Sequence, residues 1–254
     1  IEEAGRSGAI TILSFSTNSH VKIVIADTAE GKWHAIVGSC NWLASDYASF
    51  ETSMRLRDPH MVGSLVRNLA GLAKGRPGVW NDLAIELTVL GRRIMTLPAG
   101  GGRAVPMRLI YGSEHAQLVL EARDKAQERI FAMSHRIGIS ARPVALLPAL
   151  AAVKEKGIEA QFFYGRTTGP LTGINSADLI SNFSREGVVI KPIHTPRLHA
   201  KVFGWDNNTL AISSLNWLSA DPSEAAPSRE IGVVVEAPKI AENFITRFEN
   251  AQTP

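Results

Sequence analysis

The pattern His-x-Lys-x-x-x-x-Asp occurs twice in this chain. The six residues that form it are His20, Lys22, Asp27, His199, Lys201 and Asp206. An imidazole can attack phosphorus or move a proton, and lysine ammonium groups can neutralise the non-bridging oxygens of a phosphodiester. Two such sets predict phosphodiester chemistry, in which one imidazole is the nucleophile and the other protonates the leaving oxygen.

The residues that follow each motif also repeat. GSCNWLASD at 38–46 follows the first motif, and SSLNWLSAD at 213–221 follows the second. Side-chain amides can bind phosphoryl oxygens, and a carboxylate can fix the tautomer of an imidazole. The two copies supply one amide and one later carboxylate each: Asn41 with Glu51, and Asn216 with Glu230. This internal duplication predicts two related lobes.

Each motif reads as part of a β-strand. Side chains at positions i and i+2 share one face of a strand, so each His and its Lys should point the same way. The motif aspartates, Asp27 and Asp206, follow at an odd offset. We therefore expect them to support the site rather than to contact the substrate.

Strand and helix patterns alternate between the two motifs, which predicts an α/β fold with a mainly parallel or mixed sheet and helices on its faces. We divide the chain into a first lobe at 1–97, a Pro/Gly-rich linker at 98–106 and a second lobe at 107–254. Predicted elements include a strand at 9–15, a helix at 113–126 with Ser113 as N-cap, and a helix from 143 to 156 closed by Gly157. A further helix is predicted to be capped by Ser176.

The lobes differ in how much chain precedes the motif. About 90 residues of alternating strand and helix come before the second motif within its lobe, whereas 19 residues come before the first. The chain also begins with Ile1 rather than Met. We expect the N-terminal half of the first lobe to be absent from this chain.

On these motifs the chain resembles the phospholipase D superfamily, whose paired motifs are followed by a Gly-Ser-x-Asn element and a later Glu. The resemblance implies a bilobal α/β sandwich with one site between the lobes, a phosphohistidine intermediate, and no metal or other cofactor. It assigns His20 as nucleophile and His199 as general acid, although the order could be reversed. The residues implied to bind phosphoryl oxygens are Lys22, Lys201, Asn41 and Asn216, assisted by Ser39 and Ser214. Glu51 would orient His20, and Glu230 would orient His199.

Other residues have simpler interpretations. Trp42 and Trp217 are expected to pack in the core, and Cys40 to be a small buried residue. Tyr164, Arg166 and Arg197 are predicted to line the cleft because they fall near strand ends. The remaining histidines show no metal-ligand spacing and are treated as ordinary: His34, His60, His115, His135 and His194.

The motifs leave the substrate open among three hypotheses. The first is a nuclease that acts on DNA or RNA, an endonuclease being one form. The second is a phospholipase D or phosphatidyltransferase, for which the apolar stretch ALLPALAAV at 145–153 could provide a lipid-facing surface. The third is a non-catalytic nucleic-acid-binding module within a larger assembly.

The bulk composition favours the nuclease weakly. Lys and Arg number 27 against 24 Asp and Glu, giving a net charge of +3. The single cysteine excludes an intrachain disulfide, and no signal peptide pattern is present. We therefore expect a cytoplasmic protein that binds nucleic acid, as a homo-oligomer or as part of a longer parent protein.

Overall fold

The computed structural model describes residues 17, 19–28, 30–42, 48–74, 81–101, 104–171, 174–221 and 230–252. In the first lobe, three strands form an antiparallel sheet in the order β1-β2-β4, and two helices follow. These elements are β1 (Ile23–Asp27), β2 (Trp33–Gly38), the short β3 (Ser49–Phe50), β4 (Ser53–Leu56), α1 (Pro59–Ala73) and α2 (Asp82–Met95). The predicted strand at 9–15 lies outside the described residues.

The second lobe is built on a seven-stranded mixed sheet in the order β5-β12-β11-β10-β6-β7-β8. Its strands are β5 (Met107–Tyr111), β6 (Arg129–Ile137), β7 (Glu159–Thr167), β8 (Val188–Pro192), β10 (Val202–Trp205), β11 (Thr209–Ser213) and β12 (Ile231–Glu236). Its helices are α3 (Glu114–Lys125), α4 (Leu147–Lys156), α5 (Ile174–Arg185) and α6 (Ile240–Gln252). The expected mixed sheet flanked by helices is therefore confirmed.

Three local predictions differ from the structure. Ser113 precedes α3 but forms no side-chain capping bond. The helix predicted from residue 143 begins as a π-helical turn, Arg142–Leu146, before α4 continues to Gly157, whose φ of 69° ends it as predicted. Ser176 lies inside α5 rather than at its N-cap, because that helix begins at Ile174.

Three hydrophobic clusters hold the layers together. One lies between the large sheet and α3, α4 and α5, and includes Leu118, Leu150 and Phe183. A second packs α6 on the opposite face through Phe244 and Phe248. The third joins the lobes, and its members come from β2, β4, α1, α2 and β12: Ala35, Val37, Leu56, Val62, Leu65, Val66, Ile94, Ile231 and Val233.

The apolar stretch at 145–153 belongs to the first of these clusters. Ala145, Leu146, Ala149, Leu150 and Ala152 are all buried there. Most of the stretch therefore packs in the core, and Leu147 is its exposed large side chain, at 44%. Among the described helices, none has the length and apolar character needed to cross a membrane.

A two-stranded parallel pairing connects the lobes directly. β3 pairs with β9 (Arg197–Leu198), so that Ser49 faces Arg197 and Phe50 faces Leu198. The carbonyl oxygen of Phe50 accepts hydrogen bonds from the N–H groups of His199, at 3.1 Å, and Ala200, at 2.8 Å. This pairing fixes the chain just before Glu51 beside the second motif.

The repeated sequences differ at Gly38 and Ser213 because the strands approach each other differently in the two lobes. Gly38 faces Ser53 across β2 and β4, and a Cβ atom on Gly38 would lie 2.4 Å from both Ser53 Oγ and Thr52 O. In the second lobe the positions are reversed, since Ser213 faces Gly232 across β11 and β12. There the Ser213 hydroxyl has room and contacts His115 Nε2 at 2.8 Å.

The motif aspartates lie away from the motif histidines, at the far ends of their strands. Asp27 is exposed at the end of β1. Asp206 follows β10 with a φ of 51°, and its carboxylate accepts hydrogen bonds from the N–H groups of Gln127, Glu128 and Arg129 at 2.8–3.2 Å. The expectation that the motif aspartates support the site is therefore corrected: Asp206 anchors the turn before β6, and Asp27 ends a hairpin strand.

We expect Asp206→Ala to lower the free energy of unfolding by about 1.5–3 kcal/mol, because bonds to an ionised acceptor are lost. Asp27→Ala is the matched control and should change it by less than about 0.5 kcal/mol, as at other exposed sites. Urea unfolding of both variants measures the difference. Equal effects of the two substitutions would contradict the anchoring role of Asp206.

Gly38→Ala should destabilise the protein by about 1–3 kcal/mol, since the added methyl group overlaps backbone atoms of the neighbouring strand. Gly71→Ala is the control, because a Cβ at this position of α1 meets nothing within 4 Å. The control should be stabilising by about 0.5–1 kcal/mol, the usual gain in a helix. Thermal unfolding compares the two, and a neutral Gly38→Ala would show that the strands can separate at no cost.

Candidate active site

The two His-x-Lys segments have the same backbone arrangement. Each lies immediately before a strand, and each Lys Nζ donates to the carbonyl oxygen of its own motif His, at 2.9 Å for Lys22 and 3.1 Å for Lys201. The N–H of Gly38 donates to Lys22 O at 3.2 Å, and that of Ser213 donates to Lys201 O at 3.0 Å. The repeated sequence thus produces repeated geometry.

The carboxylates pair with the histidines of the opposite copy. Glu51 Oε1 lies 2.6 Å from His199 Nδ1, and Glu230 Oε1 lies 3.2 Å from His20 Nδ1. The expected pairing within each copy is therefore wrong. The carboxylates cross over because the β3–β9 pairing places Glu51 beside the second motif.

Ser39 and Ser214 hold these carboxylates in place. Each serine is buried, and its hydroxyl donates to Oε2 of the glutamate from its own copy, Ser39 to Glu51 and Ser214 to Glu230. Each hydroxyl also accepts a backbone N–H, from Thr52 at 3.0 Å or from Ile231 at 3.1 Å. Both serines thus hold the glutamates that contact the imidazoles, and their assistance in binding phosphoryl oxygens stays a prediction.

The electrostatic environment favours an anionic Glu51. Burial acts to raise the pKa of its carboxyl, but the hydrogen bonds from His199 and Ser39 outweigh burial and hold the pKa below its ordinary value. Glu51 therefore stays ionised at neutral pH and can stabilise positive charge on His199.

Lys22 is close enough to Lys201 to disfavour the charged form of Lys201. Burial, followed by repulsion from Lys22, lowers the pKa of Lys201 to about 7. Burial also lowers the pKa of Lys22, against the attraction of Glu230 and Glu51. An anion placed between these amines would favour their charged forms.

The motif histidines and both asparagines meet at one cavity of about 210 Å³ between the lobes. Its lining consists of His20, Asn41, His135, Arg136, Arg166, Arg197, His199 and Asn216. Asn216 Oδ1 is buried and has no hydrogen-bond partner among the described residues. The structure thus brings together the two histidines and two asparagines that the sequence predicted.

The sequence did not predict His135 and Arg136 as site residues, and it predicted some of the residues around them correctly. The His135 ring is tilted against that of His199, with centroids 4.6 Å apart. Burial, then the charges of His199 and Arg166, lower the pKa of His135 to about 3, so it is neutral at physiological pH. Arg166 and Arg197 line the cavity as predicted, whereas Tyr164 is wrong because it is buried in the core.

One feature of the sequence could have indicated His135 and Arg136. Both end a strand pattern, RIFAMSHRI, and polar residues at a strand end commonly reach a site. What the sequence lacked was the order of strands that places β6 next to β10. In the part of the chain that the structure describes, no three His, Cys, Asp or Glu side chains converge as metal ligands.

Lys201 should make anion binding depend on pH. Its ammonium form binds an anion and its amine form does not, so affinity for sulfate should fall as pH rises above about 7, by up to about tenfold per pH unit. Calorimetric titration from pH 6 to 9 suits this test, because sulfate keeps its charge throughout. Lys201→Met should bind sulfate weakly with a flatter profile, and parallel profiles for the two proteins would contradict the assignment.

Comparison with known proteins agrees with this geometry. The family model described as "Cardiolipin synthase, PLD-like domain" matches residues 119–252, more than half of the chain. No curated protein matches the chain significantly.

Solved structures supply the similarity in fold. Phosphatidylserine synthase from Haemophilus influenzae Rd KW20 matches with a TM-score of 0.55 and 12% identity, over 92% of this chain and 62% of that one. Nuc from Salmonella typhimurium, a phospholipase D family member, matches with a TM-score of 0.46 and 24% identity, over 58% of this chain and 94% of its own. NucT from Helicobacter pylori matches with a TM-score of 0.42 and 12% identity, over 59% of this chain and 94% of its own. Since the family model matches more than half of this chain and both motif histidines lie at one cavity, the chain belongs to the phospholipase D-like family.

Proposed function

We propose that this chain is a phosphodiesterase that works through a phosphohistidine, and that its substrate is a nucleic acid. One observation carries the proposal: two imidazole–carboxylate pairs, each joining a histidine of one copy to the glutamate of the other, hold both motif histidines at the same polar cavity. Two histidines that each contact a carboxylate suit a reaction in which one imidazole bonds to phosphorus and the other transfers protons.

The hydrogen bonds of His20 favour it as the nucleophile. Its Nδ1 lies 3.1 Å from the carbonyl oxygen of Ser214, which can only accept a hydrogen bond. Nδ1 therefore carries the proton in neutral His20, and the lone pair is on Nε2. The side chain is 46% exposed, so Nε2 has access to a substrate phosphorus.

His199 suits the role of general acid. Its side chain is only 10% exposed, and its Nδ1 is 2.6 Å from the ionised Glu51 carboxylate. With Nδ1 held by this carboxylate, the His199 imidazole is oriented to give a proton from Nε2. We assign Glu51 and Glu230 as positioning residues for His199 and His20, respectively.

The reaction then has two steps. In the first, His20 Nε2 bonds to phosphorus, the bond to the leaving oxygen breaks, and His199 gives that oxygen a proton. In the second, water attacks the phosphohistidine, His199 takes the proton of the water, and the P–N bond breaks to release a phosphomonoester. Lys22, Lys201, Asn41 and Asn216 would bind the non-bridging oxygens through both steps.

The cavity lining supports a nucleic acid over a phospholipid. It consists of histidine, asparagine and arginine side chains, which suit a charged backbone. Most of the apolar stretch that could have served a lipid substrate is buried in the core. The synthase from Haemophilus influenzae shares the fold, which phosphodiesterases of different substrate class can have in common.

We expect the wild-type chain to cleave DNA or RNA in excess EDTA, because the proposed nucleophile, acid and oxyanion ligands are all side chains. His20→Ala should abolish cleavage. His199→Ala should lower kcat by about 10²–10⁴ on a natural leaving group. His60→Ala, an exposed residue of α1, is the matched control and should be unaffected.

A substrate with a good leaving group separates the two histidines. With the 4-nitrophenyl ester of thymidine 5′-phosphate, His199→Ala should complete the first step and accumulate a thymidylyl adduct on His20, visible by mass spectrometry. An adduct on His199 in His20→Ala would reverse the assignment. Turnover of phospholipid vesicles in the absence of any cleavage of nucleic acid would remove the nucleic-acid proposal and leave the phosphohistidine.

A further inference from the structure

The two tryptophans of the repeated Asn-Trp element have opposite environments. Trp217 is fully buried, with its ring 5.0 Å from Phe203 and 5.2 Å from His115 between centroids. Trp42, its counterpart, is 39% exposed. The prediction that both indoles pack in the core is therefore wrong for Trp42. An exposed indole beside a catalytic motif is available to a ligand.

Trp42 borders a depression of about 500 Å³ that adjoins the candidate active site. Val21, Ile23 and Val24 give this depression an apolar wall. His20 and Asn41 line both the depression and the polar cavity, so the two spaces meet at the proposed nucleophile. A ligand bound at His20 can extend toward Trp42 without crossing the protein.

The polar cavity is basic, and the arginines that line it all come from the second lobe. Arg136 and Arg166 are register partners on the parallel strands β6 and β7. Arg136 Nε is buried without a hydrogen-bond partner, and neither of these two arginines forms an ion pair among the described residues. Arg197 adds a third guanidinium to the lining.

We propose that this cleft binds single-stranded nucleic acid, with a base next to the scissile phosphate stacked on Trp42 and a neighbouring phosphate held by Arg136 and Arg166. The proposal rests on the proposed function. It adds that the bound nucleic acid is single-stranded and that its base and neighbouring phosphate have defined places in the cleft. Stacking on an aromatic ring together with a basic groove is how proteins hold unpaired strands. In a duplex the bases are stacked inside the helix and cannot reach an indole on the protein surface.

The test compares a single-stranded oligonucleotide with the same backbone carrying abasic sites around the cleavage position. In the wild type, kcat/KM for the abasic strand should be about 5- to 150-fold lower, the usual effect of one stacked base. Trp42→Ala should lower kcat/KM for the intact strand by the same factor, and should leave kcat/KM for the abasic strand at the wild-type value. Trp42→Phe should restore most of the loss, and Val89→Ala, an exposed apolar control on α2, should have no effect.

The role of the arginines is tested separately, through KM and the salt dependence of binding. Arg136→Gln and Arg166→Gln should each raise KM and lower the slope of log affinity against log salt by about one, as expected for one phosphate contact. Arg92→Gln on α2 is the control.

The outcomes separate the two proposals. If the wild type fails to hydrolyse both the thymidine ester and nucleic acids, the proposed function falls. If it hydrolyses them but Trp42→Ala reduces intact and abasic strands equally, or duplex is cut as fast as single strand, only the present inference is overturned. Turnover of phospholipid vesicles alone would place an acyl chain, not a base, against Trp42 and would also overturn it.

Discussion

Two imidazole–carboxylate pairs that cross between the lobes organise this protein. Glu51 of the first copy contacts His199, and Glu230 of the second contacts His20. Each carboxylate is held by a buried serine of its own copy, so a displacement of either lobe would disturb the imidazole of the other. Neither lobe can supply a complete set of positioned groups alone, which is why the β3–β9 pairing and the shared apolar cluster matter for chemistry as well as for stability.

The duplicated motifs are equivalent in their bonds but not in their surroundings. β10 lies between β11 and β6 in the large sheet, whereas within the described residues β1 pairs with β2 alone. The second copy is consequently more buried, at both His199 and Trp217. Burial raises the cost of charge, and it is Lys201 whose pKa falls to about 7. A symmetric motif thereby acquires an enclosed side suited to proton transfer and an open side suited to substrate entry.

Positive charge dominates the cavity and is only partly neutralised. Both glutamates contact histidines, and three arginines line the cavity: Arg136, Arg166 and Arg197. Neighbouring cations repel one another, and a bound anion would relieve this repulsion. The neutral His135 ring packs on His199 without adding to the repulsion.

The sequence by itself determined the reactive groups, because His-x-Lys on a strand entry and a repeated Asn and Glu are local patterns whose chemistry is readable from residue types. It also indicated the mixed α/β architecture, since alternating periodicities are local as well. Only the tertiary structure decided which glutamate serves which histidine, that Ser39 and Ser214 support carboxylates, and that Asp206 anchors a turn. It likewise placed His135 and Arg136 at the site, buried Tyr164 and exposed Trp42. These depend on strand order and lobe packing, which bring together residues as distant as Glu51 and His199, and no local pattern encodes such a pairing.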